Sequence, residues 1–249
     1  MRVTGERDEL PGGGPQKAGI AITDLMTGMY ATVALLAALA HRDRTGQGQW
    51  IDACLFDSSV GMMAVSDMNY LVSNVPPVRA GNAHQNIVPY QVFACADGHV
   101  IVAVGNDGQF RKFCEVAGHA EWAADERFAT NAARVRSRET LVPMIDTLMR
   151  TRAQCEWLCA LERAGVPCGP INRLDKVFAD PQLEARAMKL DLPHPRAGTV
   201  PQVRAPLRLP GTPLAYALPP PLLGQHTASV LRERLGLDGQ LTHPFPFSH

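Results

Sequence analysis

Asp24 stands at the head of the most apolar stretch of this 249-residue chain. From Leu25 to Ala40 nearly every residue is apolar, and such a pattern predicts a helix that is buried on all sides. Asp24 falls where the N-cap of that helix belongs. A carboxylate there accepts hydrogen bonds from orphan backbone N–H groups and meets the positive end of the helix dipole. The same setting orients an ionised, buried carboxylate, and such a group can attack an acyl carbon as a nucleophile. From the residues alone, cap and nucleophile both remain open.

A second polar concentration is Arg79-Ala80-Gly81-Asn82-Ala83-His84-Gln85-Asn86, which is either an ordinary polar turn or a segment that contacts substrate. Other clusters carry less chemistry. Arg134, Arg136 and Arg138 read as a solvated surface between elements, with a phosphate site as the alternative. The six cysteines include no C-x-x-C pair and no regular disulfide-like spacing, which suits a reducing compartment. Cys155 and Cys159 share one helical face and, with no adjacent His or carboxylate cluster, read as small core residues. The eight histidines are scattered without an H-x-x-x-H pair, so the sequence offers no metal-ligand pattern.

These residues need elements to position them. The first 19 residues are rich in Gly and Pro and read as a loop. The apolar helix ends at His41 to Gly48, Trp50 to Leu55 reads as a short strand, and a second helix runs from about Asp57 to Val72. Pro76-Pro77 then marks a candidate boundary. Tyr90 to Cys95 and Val100 to Val104 flank Asp97-Gly98, a strong hairpin signal. Helices follow over Gln109–Ala117, Arg138–Met149 and Ala153–Ala164, the last capped by Thr151 and closed by Gly165. A shorter helix is expected within Leu183–Met188, extended chain over Val200–Leu209, and a final helix over Thr227–Leu235 before a frayed end.

Composition narrows the class. Lys plus Arg and Asp plus Glu both number 24, so no net charge draws the chain toward nucleic acid or anionic membrane. The run Tyr30–Ala40 is too short to cross a bilayer, and the first residues lack the apolar core of a signal peptide. A cytoplasmic protein is expected, with neither nucleic acid nor membrane as partner.

Several separated motifs then agree in order and spacing. Lys17-Ala18-Gly19 leads into Ile20-Ala21-Ile22-Thr23-Asp24-Leu25-Met26-Thr27-Gly28; Arg44-Thr45-Gly46-Gln47-Gly48-Gln49 and Ile51-Asp52-Ala53-Cys54-Leu55 follow. Together they closely resemble the core signature of family III (CaiB/BaiF-type) CoA-transferases. Arg79-Ala80-Gly81-Asn82 is similar to that family's R-x-G-N segment, which leads into a mobile substrate-side loop. Gly165-Val166-Pro167-Cys168-Gly169-Pro170 and Leu223-Gly224-Gln225-His226-Thr227 match further landmarks, so the resemblance spans about Thr4 to Leu237.

The resemblance implies an α/β fold: an incomplete Rossmann-like large domain plus a smaller α+β domain. It implies that residues 1–75 belong to the large domain, 76–190 form the small domain, and 191–249 return to the large one. It makes Asp24 the acyl-carrying nucleophile, passing through an aspartyl anhydride and an aspartyl-CoA thioester. Arg79, Asn82, His84 and Gln85 become the candidate substrate contacts. The implied substrates are an acyl-CoA and a small dicarboxylic acid, with no metal or redox cofactor beyond the CoA thioester, in a homodimer.

Two departures matter. Family members carry a sizeable Rossmann-like portion ahead of the aspartate, with much of the CoA site, and this chain begins just before the signature. The expectation is therefore poor activity in isolation and exposed apolar surface around residues 25–40. Some members also have consecutive glycines where this chain has Ala83-His84-Gln85-Asn86, so polar recognition replaces a glycine lid. A 2-methylacyl-CoA racemase of the same superfamily and a partner subunit without turnover are the competing readings.

Overall fold

The computed structural model describes residues 4–237, and the expected frayed end beyond Leu237 lies outside them. The apolar stretch forms α1 (Ile22–Thr45), closed by Gly46 in a left-handed conformation. Its 24 residues make it longer than the run Tyr30–Ala40 suggested, because Leu25 to Met29 continue the apolar pattern toward the N-terminus. By length and composition alone it could cross a membrane. Only Ala38 on it is buried.

The expected strand at Trp50–Leu55 does not form. Residues 47–54 are irregular, and no strand lies beside them among the described residues, so their backbone has no ladder to join. The expected helix from Asp57 to Val72 is two helices, α2 (Leu55–Gly61) and α3 (Val65–Ser73). They are separated at Met62–Ala64, where Ala64 takes φ 48°, a region that costs a Cβ-bearing residue strain.

Beyond Val78 the character changes. Strands β1 (Tyr90–Ala94) and β2 (His99–Ala103) form the antiparallel hairpin that Asp97-Gly98 predicts, with Val92 opposite Ile101. Helix α4 (Asp107–Ala117) begins with reciprocal caps: Asn106 Oδ1 accepts from the Gln109 N–H at 2.9 Å, and Gln109 Oε1 accepts from the Gly105 N–H at 2.7 Å. Short α5 (Glu121–Ala124) and α6 (Asn131–Arg136) lead into α7 (Arg138–Met149) and α8 (Gln154–Ala164). Strand β3 (Cys168–Pro170) then pairs antiparallel with β2.

The start of α8 is held differently from expectation. Thr151 does not cap it; Glu156 accepts from the Ala153 N–H at 2.8 Å, and Asp97 in the hairpin turn accepts from the Gln154 N–H at 2.6 Å. Gln154 Nε2 also donates to the His99 carbonyl at 2.7 Å, which ties the hairpin to the helix.

The core lies between these elements. Phe93, Val100 and Val102 from the hairpin meet Phe110 and Phe113 of α4, Leu141 and Ile145 of α7, and Trp157 and Leu161 of α8. Trp157 is fully buried and donates from its indole N–H to the Met149 carbonyl at 2.8 Å. Cys155 and Cys159 do not join this core: both are exposed. They lie two residues from Trp157, roughly 200° around the helix, on the opposite face.

The chain divides into two units, 1–171 and 172–249, a division that falls inside the expected 76–190 segment. The second holds α9 (Leu174–Phe178), α10 (Pro181–Ala185) capped by Asp180, and the antiparallel hairpin of β4 (Lys189–His194) and β5 (Gly198–Val203). Its last helix among the described residues is α11 (Thr227–Leu235), which matches the expected bounds. Helix and sheet are mixed in this chain, and both sheets among the described residues are antiparallel.

Candidate active site

Asp24 is not the N-cap. Helix α1 starts two residues earlier, with Ala21 as N-cap and no side-chain cap, so Asp24 is its third residue. There its carboxylate still sits in the first turn, at the positive end of the dipole. It is exposed, and among the described residues no side chain or N–H is bonded to it. The turn is steadied by its neighbour: Thr23 meets Ser59 of α2 at 3.4 Å. On the other side, a side chain added at Gly28 would meet nothing within 4 Å. The carboxylate expected to be buried thus stands on an open, small-residue surface.

The other candidates lie in or beside a cleft of about 660 Å³ walled by residues 6–10, the end of α3, residues 75–86 and the start of α7. Arg79, Asn82 and Gln85 line it, whereas His84 lines a smaller adjoining hollow of about 220 Å³. Asp24 lines neither.

Each candidate has a local task. Arg79 is buried; its Nε donates to the Glu6 carbonyl at 2.9 Å and its guanidinium pairs with Asp8. Asn82 Oδ1 accepts from the Val92 N–H at 2.7 Å. The His84 ring stacks on Tyr90 at 5.3 Å, and its Nδ1 accepts from the Asn86 N–H at 3.0 Å. That bond leaves Nε2 as the protonated nitrogen of the neutral ring. Gln85 Oε1 accepts from Asn69 at 3.2 Å.

The arginine cluster is not a solvated surface. Arg136 is exposed, but Arg134 is fully buried and Arg138 half-buried. Arg134 donates to the Val88 carbonyl at 2.6 Å and the Phe128 carbonyl at 2.9 Å, pairs with Asp107 at 2.9 Å, and lies over the Phe110 ring. Arg138 Nη2 donates to the carbonyls of His84 and Gln85 at 2.7 and 2.8 Å. Burial pushes both guanidinium pKa values down from the usual arginine range. The buried role was missed because charge alone reads as surface, and no local signal marks it, since the acceptors on Val88 and His84 are remote in sequence. No His/Cys/Asp/Glu group suited to a metal ion occurs among the described residues.

The family model for CoA-transferase family III matches residues 1–227. The chain is 46% identical over 233 residues to a succinate–glutarate CoA-transferase of Agrobacterium fabrum, covering 94% of this chain and 57% of that protein. It is 37% identical over 238 residues to a succinyl-CoA:glutarate CoA-transferase of Mus musculus, covering 96% of this chain and 54% of that protein. A crystal structure of a CaiB/BaiF family protein from Brucella suis matches with a TM-score of 0.75 at 44% identity, covering 94% of this chain and 59% of that one. The chain thus spans little more than half the length of these relatives.

Proposed function

We propose, from the premise that this chain belongs to CoA-transferase family III, that it carries the nucleophile and the substrate-side wall of an enzyme moving CoA between an acyl-CoA and a small dicarboxylic acid. The observation that carries the reading is Asp24, third residue of α1, standing within a family signature that runs through the whole first unit. The named relatives act on succinate, succinyl-CoA and glutarate, which supports the dicarboxylate class.

In this reading the Asp24 carboxylate attacks the thioester carbonyl and expels CoA as its thiolate, leaving a mixed anhydride. The thiolate then attacks the aspartyl carbonyl, releases the donor acid and leaves an aspartyl-CoA thioester. The acceptor carboxylate reverses both steps. One difficult exchange becomes several acyl transfers between activated carbonyls. No metal or redox cofactor enters; the CoA thioester is itself a substrate.

Water must be kept from the anhydride and thioester. Asp24 is exposed in this chain, so the cover comes from protein surface beyond the described residues, and a homodimer is the assembly we propose to contribute to it. Helix α1 is then a core helix rather than a membrane span, in a cytoplasmic enzyme. The exposure of α1 also favours a second reading, a partner subunit with no turnover of its own.

Incubation with succinyl-CoA is expected to leave a hydroxylamine-sensitive adduct on Asp24, seen by intact mass and absent in Asp24→Asn. CoA transfer to glutarate without any adduct on Asp24 would overturn the mechanism. Neither adduct nor exchange would favour the partner-subunit reading.

A further inference from the structure

We propose that Asn131, Arg134 and Arg138 form a comb that reads the backbone of residues 84–88, and that Arg138 is the positioning residue for the side chains this segment presents to substrate. What the segment faces rests on the CoA-transfer reading above. The comb itself rests on geometry.

The three side chains come from two successive helices, α6 and α7, which meet at Ser137, and between them they engage most of the segment. Arg138 holds the carbonyls of His84 and Gln85 at 2.7 and 2.8 Å. Asn131 donates to the Asn86 carbonyl at 2.8 Å and accepts from the Val88 N–H at 3.2 Å. Arg134 takes the Val88 carbonyl at 2.6 Å. Of five consecutive residues, four therefore have a main-chain group fastened by the comb. None of these contacts reads a side chain.

Arg138 is placed against local preference. It is the first residue of α7, where the dipole disfavours a cation. It is half-buried, and its hydrogen-bond acceptors are neutral carbonyls. A lone strut could be neutral and cheaper to bury. One Nη2 donates to both successive carbonyls, a task that a multi-donor cation on a long stem can perform.

The consequence is a division of labour. The comb fixes where the backbone runs and ignores side-chain identity, so His84 and Gln85 are presented from a set path rather than on a swinging lid. They are in turn steadied by Tyr90 and Asn69.

The test uses the full chain and has two arms. In hydrogen exchange, the amides of His84, Asn86 and Val88, bonded to Tyr90, His84 and Asn131, are expected to exchange roughly tenfold faster or more in Arg138→Met, with the β1–β2 amides unchanged. Arg138→Lys should restore much of the protection. In CoA transfer from succinyl-CoA to glutarate, Arg138→Met should raise the glutarate KM about tenfold with kcat within about threefold, and Arg138→Lys should recover part of it. Asn131→Ala, which removes no buried charge, should show the same pattern if Arg138→Met does not fold. Unchanged exchange overturns the comb, and faster exchange with unchanged glutarate KM overturns the positioning role. If the unaltered chain transfers no CoA, the CoA-transfer reading fails, and the comb is decided by exchange alone.

Discussion

Residues 20–78 and residues 88–166 are both rich in apolar side chains, yet they place them in opposite ways. In the second region Val88, Phe93, Phe110, Leu141, Ile145, Trp157 and Leu161 are all buried, and from Arg79 to Pro170 no large hydrophobic side chain is exposed. In the first, Leu25, Val33, Leu36, Trp50, Phe56, Leu71 and Val78 are all more than half exposed, and Ala38 is the one buried hydrophobic residue. The difference is one of partners. The hairpin, α4, α7 and α8 close a core among themselves. Helix α1 is apolar around its circumference and touches mainly α2, so most of its surface has nothing to pack against within the described residues. A region whose apolar surface is unsatisfied is built to be covered.

Substitutions can sharpen this contrast. The largest stability effect is expected at Trp157: Trp157→Ala should destabilise the chain by about 3–5 kcal/mol in denaturant unfolding, because it opens a cavity and orphans the Met149 carbonyl. A thiol reagent gives the next contrast. At pH 8 Cys54, Cys155 and Cys159 are exposed and should react readily, whereas Cys95 and Cys114 are buried. Burial pushes the Cys114 thiol up to about 12, so its thiolate at pH 8 is roughly one part in ten thousand, and labelling there should wait for unfolding. Rapid native labelling of Cys114 would break the distinction. The smallest effect is expected at Leu36, where Leu36→Ala should shift stability by no more than about 0.5 kcal/mol. A loss above about 2 kcal/mol would mean that α1 is already covered in solution.

Sequence patterns were most legible where local chemistry decided the outcome. Asp97-Gly98 placed the hairpin, and the bounds of α7 and α11 agree with the structure at both ends. They were least legible where a neighbour decides. Trp50–Leu55 has strand-forming residues but no strand to pair with, and the break at Met62–Ala64 contains no proline to announce it. At the candidate site the family signature singled out Asp24, but its cap position was three residues off because Ile22, Thr23 and Asp24 itself already take helical form. Arg134 and Arg138 were misread because a buried arginine is identified by its acceptors, which lie 46 and 54 residues away in sequence.

The bond from the Gln154 N–H to Asp97 spans 57 residues, and that separation bears on how the body assembles. A hairpin this short would ordinarily form within microseconds by itself. Here its turn residue also completes the first turn of a helix far along the chain, so the turn gains its last bond only after a long loop has closed. Contacts of that kind raise contact order and slow folding. They also couple the two elements: fraying of the hairpin turn removes a bond from the first turn of α8, and fraying of that turn removes one from the hairpin.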